Sequence, residues 1–329
     1  IYGNNLNYTF TKNPELLGDV EGLARMCMLK GEYRQTKDLL QAALDLTNNK
    51  LAARNSRRSG TLLLLGRYML DIGRYQEASK VLRAARGSLD GFSDRAPLAV
   101  QTTLAQAALD AEVGFAFESA KLLEQVDDLG VLPAKHPDKA MLHWYLARVH
   151  MIQYQFAAAR ACLDAGLSQL NGSGMGVEAQ RSQHRQHRLA RACQHVAANH
   201  TNKPMIVKFL RTIVPLSWKL LDRQDQFQPL RMRFSLLHAQ LLVQEGDLLE
   251  ATAVLHKLQE GYTELNHEAA ITRSHPLIGC CHSALAQVAF AQGRFADAKQ
   301  TFALAMEHKL NGGWLASHVS VAGDHYGIG

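Results

Sequence analysis

No stretch of the sequence stays apolar for long. The longest such run near mid-chain, MIVKFLRTIVPLSW at 205–218, is broken by Lys208, Arg211 and Pro215. It falls short of the ~20 uninterrupted apolar residues that a membrane-spanning helix needs, so no membrane partner is expected. The opening residues, IYGNNLNYTF, lack the basic start and apolar stretch of a secretory signal, and none is expected there. The chain begins with Ile, as a piece of a longer protein would. Cysteine is scarce: Cys27, Cys162, Cys193, Cys280 and Cys281 are odd in number, form no CxxC pair and fall mostly in apolar helical patterns. That usage reads as reduced, buried thiols of a nuclear or cytoplasmic protein. Cys280 and Cys281 are adjacent and face different directions on a helix, which suits packing better than reactivity. Catalytic signatures are missing as well: no GxSxG, no GxxxxGK[ST], no GxGxxG after a strand and no HExxH. Neither an enzyme nor a cofactor is expected. Strand-like alternation is absent, which points to an all-α protein.

What is present is enough to fold. The 329 residues are 47% hydrophobic and 20% charged, as in an ordinary globular chain. A formal charge of +6 and a pI near 9.1 favour acidic partners through long-range steering, without identifying one.

The strongest signal is internal repetition. GRYQEASKVLRAA, starting at Gly73, returns as GRFADAKQTFALA from Gly293, and looser copies start at Gly31, Gly114, Tyr154 and Gly246. The intervals are 42, 41, 40, 92 and 47 residues, and the 92 divides into two units, so a degenerate repeat is expected between Tyr154 and Gly246. Prolines at 14, 97, 137, 204, 229 and 276 each precede an apolar-periodic run, where the missing N–H of a first helical turn has no cost. The spacing predicts helix pairs over 14–30 with 33–46, 50–72 with 75–88, 97–112 with 115–127, and 137–153 with 155–170. Further pairs follow over 177–199 with 204–222, 229–245 with 247–261, and 276–292 with 294–309, then a last helix from about Trp314.

Leu62, Leu65, Gly66 and Met69, followed by Tyr75, Ala78, Leu82 and Ala85, alternate small and large residues in a way that resembles the tetratricopeptide (TPR) pattern. Leu285, Ala286, Phe295, Ala298, Phe302 and Ala305 repeat it in the last unit. The resemblance implies a right-handed α-solenoid of about seven antiparallel pairs forming one superhelical domain over 1–329. Its period exceeds the usual ~34 residues, and its degenerate unit lies at about 177–222. Long-period arrays of this kind are similar to subunits of large assemblies. The segment 282–326, a repeat followed by a Trp-led helix, resembles the TPR subunit of the cohesin loader, with a TPR subunit of the anaphase-promoting complex as the alternative. In TPR arrays the first helix of each pair lines the concave face. Carried over, that rule places Arg25, Arg67 and Arg148 at one groove position, Arg233 at a second, and Met28, Trp144 and Met151 on the same side. Arginine recognises carboxylates bidentately and Met or Trp supply adaptable apolar contact, so the groove is expected to hold an extended acidic and apolar segment of a partner protein. Residues that are merely solvated, or paired within the array, are the plainer reading of the same pattern.

One local composition stands apart. No Asp or Glu occurs from Ala179 to Leu221, while Arg181, Arg185, Arg188 and Arg191 fall along one helix face with His184 and His195. The stripe is read first as a solvated face, then as a site for an acidic protein segment, and last as a nucleic-acid contact, because no aromatic residues interleave it for stacking. His184 and His187 share a face, but no Cys, Asp or Glu completes a ligand set, and no metal is expected. The function that follows is a non-catalytic scaffold in a multi-subunit complex of the nucleus or cytoplasm, such as a cohesin-loader subunit in chromosome cohesion. An RNA-associated helical-repeat protein of an organelle or the nucleus is the alternative.

Overall fold

A computed structural model describes residues 15–29, 31–50, 56–89, 91, 93, 96–132, 136–171, 228–268 and 275–328. Among these residues the fold is all-α and contains no strand. Helices α1 (Glu15–Leu29) and α2 (Tyr33–Lys50) form the first pair, followed by α3 (Ser56–Asp71) with α4 (Tyr75–Gly87) and α5 (Pro97–Glu112) with α6 (Ala116–Asp128). Next come α7 (Pro137–Ile152) with α8 (Phe156–Asn171), α9 (Gln228–Glu245) with α10 (Leu248–Glu268), and α11 (Pro276–Ala291) with α12 (Phe295–Asn311). A final helix, α13 (Val319–Ile328), follows them. The expected pair over 177–222, with Arg181, Arg185, Arg188 and Arg191, lies outside the described residues.

The repeated phrase has a backbone cause. At each turn the chain closes the first helix with the same two bonds, for example Gly73 N–H to the Leu70 carbonyl at 3.1 Å and Arg74 N–H to Met69 at 2.8 Å. This is the double bond that ends a helix through one left-handed residue, and glycine takes that conformation without steric cost. Gly31, Gly73, Gly114, Gly246 and Gly293 all have φ between 74° and 95°, and at the one turn without glycine Tyr154 is forced to φ 59°. Helix starts use proline as the sequence implied, with Pro97, Pro137 and Pro276 in the first turn. A histidine before each of two of them caps it: His136 Nδ1 accepts from Asp138 N–H at 3.2 Å, and His275 Nδ1 from Leu277 N–H at 3.1 Å.

Within pairs, small residues set the approach. A Cβ at Gly66 would stand 2.5 Å from Leu82 Cδ2, and one at Gly279 2.6 Å from the Ala305 carbonyl, so α3 and α11 lie hard against their partner helices. Buried hydroxyls add polar ties, Ser59 Oγ to the Ala85 carbonyl and Ser119 Oγ to Ala107, both at 2.7 Å.

The array closes on itself. One core joins Leu23, Cys27, Tyr33 and Tyr68 of the first two pairs to Leu236, Tyr262, Cys281 and Trp314 of the last units. The turn at Gly31 rests on Pro276 and His275, with room of only 3.0 Å for a Cβ. On the other side α9 packs on α8, where Phe234 fills the space beside Gly166.

The sequence placed Trp314 at the head of the last helix, and the structure corrects this. Gly313, at φ 97°, turns the chain out of α12, and Trp314 drops into the shared core in a non-helical stretch. The helix begins only at Val319, behind His318, whose Nδ1 accepts from Ser320 N–H at 3.1 Å.

Candidate functional site

The first helices of the pairs face inward and enclose a cavity of about 170 Å³. Ala108, Arg148 and Gln240 line it, and each stands six residues before the turn of its own unit. That is the register predicted for groove residues, but its outcome differs along the array. Arg148, Arg233 and Trp144 meet at the cavity. Arg67 lies beyond its wall and donates to the Gln101 carbonyl at 3.3 Å, while its charge reaches Asp71 and Tyr145. Arg25 is on the exposed side of α1, near Glu21. Met28 and Met151 are buried in two separate cores and line nothing in common with Arg148.

The cavity arginines are already engaged. Arg148 pairs with Glu112 and lies over the Trp144 ring, 5.1 Å from its centroid. Arg233 faces Asp71 at 3.7 Å, and its own carbonyl accepts from Trp144 Nε1 at 3.3 Å. Burial alone would raise the Glu112 carboxyl, yet Arg148 outweighs it and the net shift is downward. Asp71 shows the opposite balance: burial pushes its carboxyl up, Glu112 adds to that, and the more distant Arg233 only partly offsets them. Arg233 Nε is buried without a hydrogen-bond partner. Both guanidinium groups thus face acids of the chain itself, Glu112 at Arg148 and Asp71 at Arg233.

Sequence reasoning missed those two acids. Each ends an inner helix two residues before its turn glycine, and units two and three are the only described units with an acid there. Such a pair, set against an arginine six residues before a turn, is a signal the sequence does contain.

The remaining wall is the segment after α12. Trp314 Nε1 donates to Tyr33 Oη at 3.3 Å, Leu315 N–H to the Ile72 carbonyl at 3.2 Å, Ser317 Oγ to Gly73 at 3.3 Å, and Val319 N–H to Tyr75 Oη at 3.1 Å. Tyr33 and Tyr75 occupy the same repeat position, two residues past the turn, where other described units have Ala116, Phe156, Leu248 and Phe295. Hydroxyls thus stand at the two units that receive the segment. The His318 ring stacks on Trp314 at 3.9 Å, and its pKa falls to about 4, first through burial and then through Lys309 and Arg148, against the pull of Glu112. Behind the segment, Lys309 is wholly buried: its ammonium reaches Asp324 Oδ2 and Ser283 Oγ, each at 2.6 Å, and the Ser320 carbonyl at 3.1 Å. All three donors are satisfied, which is what keeps a buried cation tolerable.

Among the described residues no group of three metal-ligating side chains converges, and no helix is long and apolar enough to cross a membrane. No protein-family model and no curated protein matches the chain. Among solved structures, it is similar to two chains of nearly identical TPR-like repeats assigned to a kinesin light chain of Podosopora anserina, one of them carrying a single substitution. They are 23% and 22% identical, each with a TM-score of 0.40, and the match covers 61% of this chain and 95% and 96% of theirs. At that overlap the likeness adds nothing to the reading of the site.

Proposed function

We propose that the protein is a non-catalytic helical-repeat scaffold that holds an extended segment of a partner protein along its inner face. One observation carries this reading: the inner face already holds a short non-helical stretch, the chain's own residues 314–318 running into the Val319 amide, through one aromatic anchor and a row of hydrogen bonds to turn carbonyls and tyrosine hydroxyls. A surface built to accept backbone and an indole is suited to an unfolded peptide rather than a small substrate. The partner segment is read as apolar first, with any carboxylates placed to exchange for Glu112 at Arg148 or for Asp71 at Arg233.

The finer reading, a subunit of a cohesin-loader-like assembly in the nucleus, rests on the resemblance of residues 282–326. The RNA reading rests on the stripe Arg181, Arg185, Arg188 and Arg191. Capturing partners from cells on the purified chain and repeating the capture with single-stranded RNA across rising salt tests these together. Protein capture that persists at moderate salt supports the scaffold. RNA binding that weakens steeply with salt, with no protein retained, overturns it.

A further inference from the structure

We infer that residues 312–319 are a releasable clasp that walls one side of the inner cavity, and that the partner segment gains its place by displacing it. This deepens the scaffold reading and rests on it for the identity of the displacing ligand; the clasp itself stands on geometry alone.

Three features show a docked strap rather than a continuation of the helical stack. Its polar contacts to the first two units are single hydrogen bonds of 3.1–3.3 Å, with no ion pair among them. It is hinged at Gly312 and Gly313 on one side. On the other it is anchored where α13 begins, by the buried Lys309, whose three bonds go to the Ser320 carbonyl, Asp324 and Ser283 and none to the first units. The strap can lift from Tyr33, Gly73 and Tyr75 while that anchor stays intact. The docking surface also fits the strap closely: a Cβ on Gly73 would lie 2.7 Å from His318 Cα, whereas the corresponding Gly114 and Gly293 have nothing within 4 Å.

Lifting the strap uncovers a reporter. Cys280 lines the cavity together with Trp314, His318 and Val319 of the strap, beside the anchored Ser320, whose Oγ is 4.0 Å from its Sγ. Cys27 and Cys281 are fully buried in the core and line no part of the cavity, so they are expected to respond only to wider unfolding.

The experiment is native-state thiol labelling of the full chain, read residue by residue by mass spectrometry, in the parent and in the Tyr33→Phe/Tyr75→Phe variant. Each substitution removes one hydroxyl acceptor and little else, and should increase clasp opening about fivefold. The expected result is Cys280 labelling that rises at least tenfold while Cys27 and Cys281 keep their rates. Equal acceleration at all three cysteines, or no change at Cys280, overturns the clasp. Because no partner is present, either outcome leaves the partner-capture test of the scaffold reading independent.

Discussion

Replacing Gly73 with alanine separates the strain of a turn from the cost of crowding the clasp. Gly73, Gly114 and Gly293 hold the same place in their units, at φ 86°, 95° and 75°. Alanine at any of them pays about 1–2 kcal/mol for the left-handed conformation, against a gain of about 0.4–1 kcal/mol from a less flexible unfolded chain. These terms are common to all three sites. Only at Gly73 does the new methyl meet backbone, at 2.7 Å from His318 Cα and 2.9 Å from its nitrogen. Backbone cannot rotate aside as a side-chain tip can, so relief requires the strap to move, at a cost of about 1–3 kcal/mol. The assay is native-state hydrogen exchange at the Leu315 amide, which donates to the Ile72 carbonyl. In Gly73→Ala that amide should exchange roughly 5- to 150-fold faster than in Gly293→Ala, by the tenfold-per-1.4 kcal/mol conversion. Equal rates in the two variants would refute the argument that the strap and the turn are in contact.

Other expectations follow from the same geometry. Lys309→Met leaves Asp324 buried and unpaired, and should cost about 3–5 kcal/mol in urea unfolding, much of it recovered in Lys309→Met/Asp324→Leu. Tyr154→Gly relieves the one left-handed non-glycine at an exposed turn and should raise stability by about 1 kcal/mol, read from the same unfolding curves. Gly66→Leu forces side-chain atoms into the place of Leu82 and should lower the thermal midpoint, whereas Gly22→Ala, with nothing within 4 Å, should not. The pKa values of His318 and His282, both about 4 in the folded chain, lie below the ordinary 6.5, so the unfolded state binds protons first. Their contribution is complete above pH 6.5 and is lost as pH falls towards 4, and unfolding free energies measured across that window should flatten in His282→Asn.

The repeat was legible because its causes are local. A left-handed turn residue demands glycine, and a close helix contact demands Gly66 or Ala78, so both recur in the sequence at the spacing of the units. Closure was not legible, because it depends on curvature summed over the whole array and brings Tyr33 to Trp314 across 281 positions. The same applies to the arginines. Periodicity put Arg25, Arg67 and Arg148 at one register, but only Arg148 reaches the cavity, since the inner face curls tightly enough for unlike units to supply its walls. Trp314, expected near the start of a helix, is instead buried against Tyr33 and His318, a long-range effect that no local pattern encodes.

Whether a partner segment lies on the inner face is decided by site-specific photo-crosslinking within the captured complex. A photoreactive residue at Gln240, on the cavity wall, is compared with one at Arg83, on the exposed side of α4. The partner is expected to crosslink from position 240, at one short stretch of its sequence, and not from position 83. Crosslinking from 83 with none from 240 would contradict it and put the working surface on the outside of the array.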